Sequence, residues 1–138
     1  MSLTEIERQE LIQYRIAEAK DTELDIELLI SNNRLRAAIN RIYYSMFYSL
    51  LALGLKYKFE TSKHAQLIGW FNKNFINTGF IDAKFGRVLN KAFNRRTKGD
   101  YDSFVEFEHE IVLEMFDEAK EFNRALEQFI KESIHKSD

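Results

Sequence analysis

The feature that most restricts the fold is an absence: 138 residues pass without a single proline and with only five glycines. These two residues break helices and build tight turns. A chain nearly free of both can run as long helices and is poorly supplied for a β sandwich or barrel. Apolar residues make up 45% of the sequence, with 12 Phe and 6 Tyr among them, which is enough to offset the entropy of ordering one domain without disulfide or metal staples. The expectation is one all-α domain over residues 1–138, an up-and-down bundle of about five helices.

Periodicity places the helices. Ile12, Ile16, Ala19, Ile26 and Ile30, supplemented by Leu24 and Leu28, recur at spacings of three, four and seven, predicting an amphipathic helix over Leu11–Ile30 that begins a turn or two earlier. Ser31, Asn32 and Asn33 favour a break, and a second helix restarts at about Arg34. It is the most hydrophobic, carrying Leu35, Ala38, Ile39, Ile42, Met46, Leu50 and Leu53 with Tyr43, Phe47 and Leu51 beside them, and Gly54 suits a left-handed stop. Leu55–Ser62 lacks a helical period and reads as a loop, with Thr61 or Ser62 capping a short third helix that ends near Gly79. A fourth helix from about Asp82 buries Phe85, Val88, Leu89, Ala92 and Phe93 before Gly99 closes it, leaving Tyr101 just past the stop. The last helix follows Asp102 or Ser103, runs to about Ile134 with Phe104, Phe107, Ile111 and Met115 near a heptad spacing, and should pack on the first.

Several classes of function are disfavoured. With no Cys, thiolate metal sites and cysteine nucleophiles are excluded. The longest apolar stretch, Ile42–Leu55, falls short of the roughly 20 residues of a membrane span, and the polar N-terminus lacks a signal peptide's apolar segment, so a cytoplasmic protein with no membrane partner is expected. Glu106 with His109 and Glu132 with His135 repeat a bundle-metal spacing, yet 26 residues on one helix separate the copies by about 39 Å, so they cannot share an ion. No metal and no cofactor is expected. No glycine-rich phosphate loop or Gly-x-Ser-x-Gly elbow occurs.

Charge is the remaining signal. Net charge is only −2, but Lys84–Lys98 carries six basic side chains and no acid, whereas Asp100–Glu127 carries ten acids against Lys120 and Arg124. The two runs either pair with each other or are solvated separately. On the fourth helix Phe85, Leu89, Ala92 and Arg96 share a face, so Arg96 points toward the protein, where it either pairs with an internal carboxylate or lines a phosphate-facing cleft. On the second helix Arg41, Tyr44, Ser45 and Tyr48 form a stripe that is either a core edge or a wall for stacking bases.

Three segments carry a family resemblance: RAAINRIYYSMFYSLLAL (Arg36–Leu53), SKHAQLIGWFNKNFINTGFI (Ser62–Ile81) and FGRVLNKAFNRRTKGDYD (Phe85–Asp102). They resemble HEPN domains, the higher eukaryote and prokaryote nucleotide-binding domains, in a small stand-alone group of bacterial and archaeal proteins. The resemblance implies a helical bundle that forms a homodimer. Many HEPN proteins are metal-independent ribonucleases or toxins, some paired with a minimal nucleotidyltransferase as antitoxin. Their motif is an Arg followed, after four to six residues, by a His. Here Arg96 leads instead to Tyr101 and Arg95 to Asp100. An ordinary Asp is already ionised at neutral pH and a Tyr still protonated, so neither exchanges a proton as His does, which argues against robust cleavage. His64, at the start of the third helix, either supplies the imidazole from elsewhere in the fold or is a capping or surface residue.

The resulting expectation is a nucleotide- or RNA-binding module, catalytically weak or inactive, partnered by a nucleotidyltransferase. Arg96 and Arg95 would hold phosphate, Tyr44 and Tyr101 would contact base or sugar with Arg41 beside them, and Asp100 would orient an Arg or a 2′-hydroxyl. The alternatives are an active ribonuclease toxin and a structural dimerisation or adaptor bundle, the last favoured if an intrachain carboxylate neutralises Arg96.

Overall fold

A computed structural model describes residues 3–102 and 106–136. Among them are five α-helices and no strand: α1 (Glu5–Ser31), α2 (Leu35–Lys56), α3 (His64–Phe71), α4 (Ala83–Tyr101) and α5 (His109–Lys136). None is long and apolar enough to cross a membrane. The expected all-α bundle is what forms.

Each terminus follows from local chemistry. Thr4 and Glu7 make a reciprocal capping box that starts α1, with Glu7 N–H donating to Thr4 Oγ1 at 3.1 Å and Thr4 N–H to Glu7 Oε1 at 2.9 Å. The α1–α2 turn is a Schellman motif, with Asn33 in the left-handed region (φ 57°) and Arg34 N–H bonded back to Leu29 O at 2.8 Å. The same motif ends α2, and here Lys58 (φ 61°), not Gly54, takes the left-handed position, while Phe59 N–H returns to Gly54 O at 2.8 Å. Gly54 is needed for another reason: a Cβ there would sit 2.5 Å from the Phe59 carbonyl oxygen. Thr61 does not cap α3. Its hydroxyl accepts from Lys63 N–H in the preceding turn, and the N-cap is Lys63. Beyond Phe71 the chain widens into a π turn, Asn72–Ile76, before Gly79 (φ 80°) reverses it.

Helix α2 is central. Tyr43, Met46, Leu50 and Leu53 are fully enclosed by Ile12 and Ile26 of α1, Leu67 and Phe71 of α3, Leu89 of α4 and Phe122 of α5, in one continuous core. Each such side chain contributes about 1.5–3 kcal/mol on leaving water. α5 packs mainly on α2, with the expected contact to α1 secondary. Leu24 and Leu28, read as part of the buried stripe of α1, lie on its outer face; the true stripe passes through Ala19, Thr22 and Ile26. The basic and acidic runs do pair, through Lys84–Glu121 (2.7 Å) and Lys91–Glu118 (2.9 Å). The Ser103 cap and the Phe104 heptad position lie outside the described residues. Phe107 packs against the core.

Candidate functional site

α2, α3 and α4 bring polar groups together at one end of the bundle. Arg41, Tyr43, Tyr44 and Phe47 come from consecutive turns of α2, His64 is the first residue of α3, and Arg96 and Asp100 lie on the last turns of α4. The Arg96 guanidinium packs against two phenol rings, 5.6 Å from the Tyr43 centroid and 5.4 Å from that of Tyr44, and its Nη2 donates to Tyr44 Oη at 3.2 Å. Arg41 lies 4.9 Å from the same Tyr44 ring, so two cations share one aromatic face pair. Arg96 Nε lies 2.9 Å from Asp100 Oδ2 but out of line for a hydrogen bond, so charge rather than direction holds the pair. Arg41 Nε is buried without a hydrogen-bond partner among the described residues.

His64 joins this cluster through the aromatics. Its ring stacks on Phe47 at 3.9 Å and 11°, meets Tyr44 edge-on at 5.7 Å, and places Nδ1 2.7 Å from Tyr43 Oη. Burial, reinforced by the neighbouring Arg96 charge, lowers the imidazole below its ordinary value, so it stays neutral at physiological pH. Burial also pushes the Tyr43 phenol far above its ordinary value. The direction of the Tyr43–His64 bond depends on the imidazole tautomer; with the phenol as donor to Nδ1, the imidazole proton sits on Nε2.

Of the residues singled out in the sequence, the fold gathers Arg41, Tyr44, His64, Arg96 and Asp100. Tyr101 is not among them: α4 runs on past Gly99 to include it, and Tyr101 is 82% exposed on the helix's last turn. Asp100 is therefore a helical i,i+4 neighbour of Arg96 rather than a loop residue. Arg95, half-buried one position round the helix, makes no ion pair among the described residues. Of the α2 stripe, Ser45 turns inward to the core and Tyr48 is half-buried against it. No group of three or more metal-ligating side chains occurs among the described residues.

Three contributors were not legible. Tyr43 and Phe47 read as core, and only the packing of α3 against α2 sets His64 on them. Arg36 donates to the carbonyl of Gly99 and, at 3.1 Å, to that of Asp102, tying the C-terminus of α4 to the first turn of α2. Gly99 is buried there between the Phe107 ring and the Arg36 side chain, where a Cβ would make ordinary van der Waals contact.

The HEPN domain model matches residues 12–129, which spans every element of this cluster. The chain belongs to the HEPN family. It is 37% identical over 126 residues to a UPF0332 protein of Thermotoga maritima, covering 91% of this chain and 96% of that one. Two Methanocaldococcus jannaschii proteins, each named "Putative toxin", are also similar. One is 33% identical over 91% of this chain and 93% of its own length, the other 40% identical over 53% and 50%. No His lies between Arg96 and Ser103, yet in three dimensions the imidazole of His64 occupies the same cluster as Arg96.

Proposed function

We propose that this HEPN chain is an RNA- or nucleotide-binding module of a toxin–antitoxin-like pair, catalytically weak, with a minimal nucleotidyltransferase as its partner and a homodimer as its working form. The observation that carries the binding reading is the convergence of Arg41 and Arg96 on Tyr44, with the neutral His64 imidazole beside them. Guanidiniums supply charge-assisted bonds to phosphate, and the phenol and imidazole rings supply faces and donors for base and sugar. The toxin and partner readings rest on the names of the relatives and on the family resemblance. The test is single-stranded RNA binding at low and moderate salt. Arg96→Ala and Arg41→Ala should each weaken binding and lower the salt slope by about 0.7. Unchanged binding in both would refute the site. Light scattering near the 16.4 kDa of one chain would refute the dimer, and failure of a co-expressed nucleotidyltransferase to copurify would refute the partner.

A second reading, metal-independent ribonuclease, is favoured by His64 itself. Attack of a 2′-hydroxyl on the adjacent phosphorus forms a 2′,3′-cyclic phosphate and expels the 5′-oxygen. Asp100 would take the hydroxyl proton and His64 Nε2–H would give one to the leaving oxygen. Cleavage of RNA in the presence of a chelator, lost in both His64→Ala and Arg96→Ala, is the result expected of this reading; no cleavage by the wild-type chain would exclude it.

A further inference from the structure

Beside the Arg96–His64 cluster runs a groove of about 500 Å³ between α1, α2 and the segment joining α2 to α3. Leu51 and the aromatic Phe47 and Phe59 line it, together with the polar Arg15, Glu60 and Ser62. The groove and the cluster share a wall: Phe47, which lines the groove, is also the ring on which His64 stacks at 3.9 Å. They share a segment too, since Ser62 at the groove's end precedes His64 by two residues. Resting on the reading of Arg96 and Arg41 as a phosphate site, the geometry points to this groove as the subsite for one unpaired base of the bound RNA, with guanine preferred.

The shape and lining match a base, which is apolar on its faces and polar on its edge. Phe59 is a rigid stacking platform, because Trp70 backs it in a parallel stack at 4.8 Å and 3°. The preference follows from Glu60. Its carboxylate is more than half exposed, and its nearest cation, Arg8, stands 4.0 Å away at the limit of an ion pair. A carboxylate offers two acceptors and no donor. Guanine alone among the four bases presents two adjacent N–H groups on its pairing edge. Adenine and cytosine set an acceptor nitrogen beside their amino group, and uracil flanks its single N–H with carbonyl oxygens, so each places an acceptor against the carboxylate.

The experiment uses the full chain and short single-stranded oligouridylates, with and without one central guanosine, adenosine or cytidine. Binding is followed by anisotropy and by emission of the single tryptophan, Trp70, which lies directly behind Phe59. The guanosine oligomer should bind about tenfold more tightly than oligouridylate, as befits a paired charge-assisted contact, and should perturb Trp70. Glu60→Gln, at an exposed position, should abolish that preference without weakening oligouridylate binding, since it removes only a carboxylate that uracil cannot use. Leu51→Phe, which fills the groove, should do the same while circular dichroism shows the helices intact. Arg96→Ala should weaken all the oligomers alike. If Arg96→Ala weakens binding but the four oligomers bind equally to the wild-type chain, the base subsite is wrong and the phosphate site stands. If Arg96→Ala changes nothing, the phosphate site itself is wrong. If Leu51→Phe converts a dimer to a monomer with the preference for guanosine intact, a second copy of the chain covers the groove and the base assignment is overturned.

Discussion

Replacing Asn123 with Ala should cost about 2–3 kcal/mol of folding stability, because Asn123 is the hub of a buried network joining three helices. Its Nδ2 donates to Glu23 of α1 at 2.9 Å and to Ser45 of α2 at 3.2 Å, and its Oδ1 accepts from Ser49 at 2.8 Å. Ser45, Ser49 and Asn123 are all buried. Each of the three bonds contributes about 1 kcal/mol net, and a stranded buried partner costs about as much again, so the simple sum is above 3 kcal/mol. The adjoining cavity of about 40 Å³ has room for a water that re-satisfies part of the loss, which brings the figure down. Urea unfolding followed by far-ultraviolet circular dichroism measures it. The mechanism is tested by the cycle of Ser49→Ala, Asn123→Ala and the double variant. A shared hydrogen bond predicts that the double costs less than the sum by about 1 kcal/mol. Strict additivity would show that the loss is ordinary cavity formation and that the network is incidental to stability.

Other perturbations carry definite signs. His64 is held below its ordinary imidazole value, so the stability associated with its neutral form is present above that ordinary value and is lost as pH falls through the lowered one; His64→Ala should flatten unfolding free energy over that acidic window, and an unchanged slope would contradict the burial argument. Burial raises Glu23 despite its bond to Asn123, so its contribution runs the other way, full below the ordinary glutamate value and lost as pH rises through the raised one; Glu23→Gln should remove that dependence. Gly69→Ala, on an open helix surface with nothing within 4 Å, should stabilise by about 0.5–1 kcal/mol, whereas Gly54→Ala, which drives a Cβ into the Phe59 carbonyl, should destabilise by about 1–3 kcal/mol; equal melting shifts would refute the contrast.

What the sequence made legible follows a physical division. Burial periodicity reports on whole faces, so the core of α2, the inward placement of Arg96 beside Leu89 and Ala92, and the start of α4 at about Asp82 could all be read directly. Turn conformation was readable at Gly79 but not at Lys58, because a lysine forced left-handed by its Schellman bonds carries no compositional mark. On α1 the leucines at 24 and 28 fit a helical spacing as well as the true stripe does. Only packing against α2 and α5 decides that Thr22 goes in and they go out. The site was half readable for the same reason. Arg96 and Tyr44 announce themselves by position on single helices, while Asp100 joins Arg96 only because α4 runs on past Gly99, and the His64–Phe47 stack joins residues whose proximity depends on how α3 docks.

The Arg96–Asp100 pair decides how the binding and adaptor readings separate, since an arginine fully satisfied within the chain would leave nothing for a ligand. The pair is weak on three counts. It is an i,i+4 contact with the cation first, the less favourable order, in which even a good pair contributes only about 0.3–0.5 kcal/mol. Both side chains reach solvent, at 20% and 32% exposure. Asp100 also sits near the C-terminus of α4, where the helix dipole disfavours an anion. A phosphate contacting Arg96 and Arg41 together gains charge-assisted bonds of about 1.5–3 kcal/mol each, so it displaces the carboxylate readily. Asp100→Asn should therefore change stability by less than about 0.5 kcal/mol and raise affinity for single-stranded RNA several-fold at low salt, by removing the competing anion. Unchanged affinity would mean that Arg96 never leaves its intrachain contacts and would favour the adaptor. A loss of affinity would instead make Asp100 a group that positions Arg96 for the ligand, refuting competition while keeping the site.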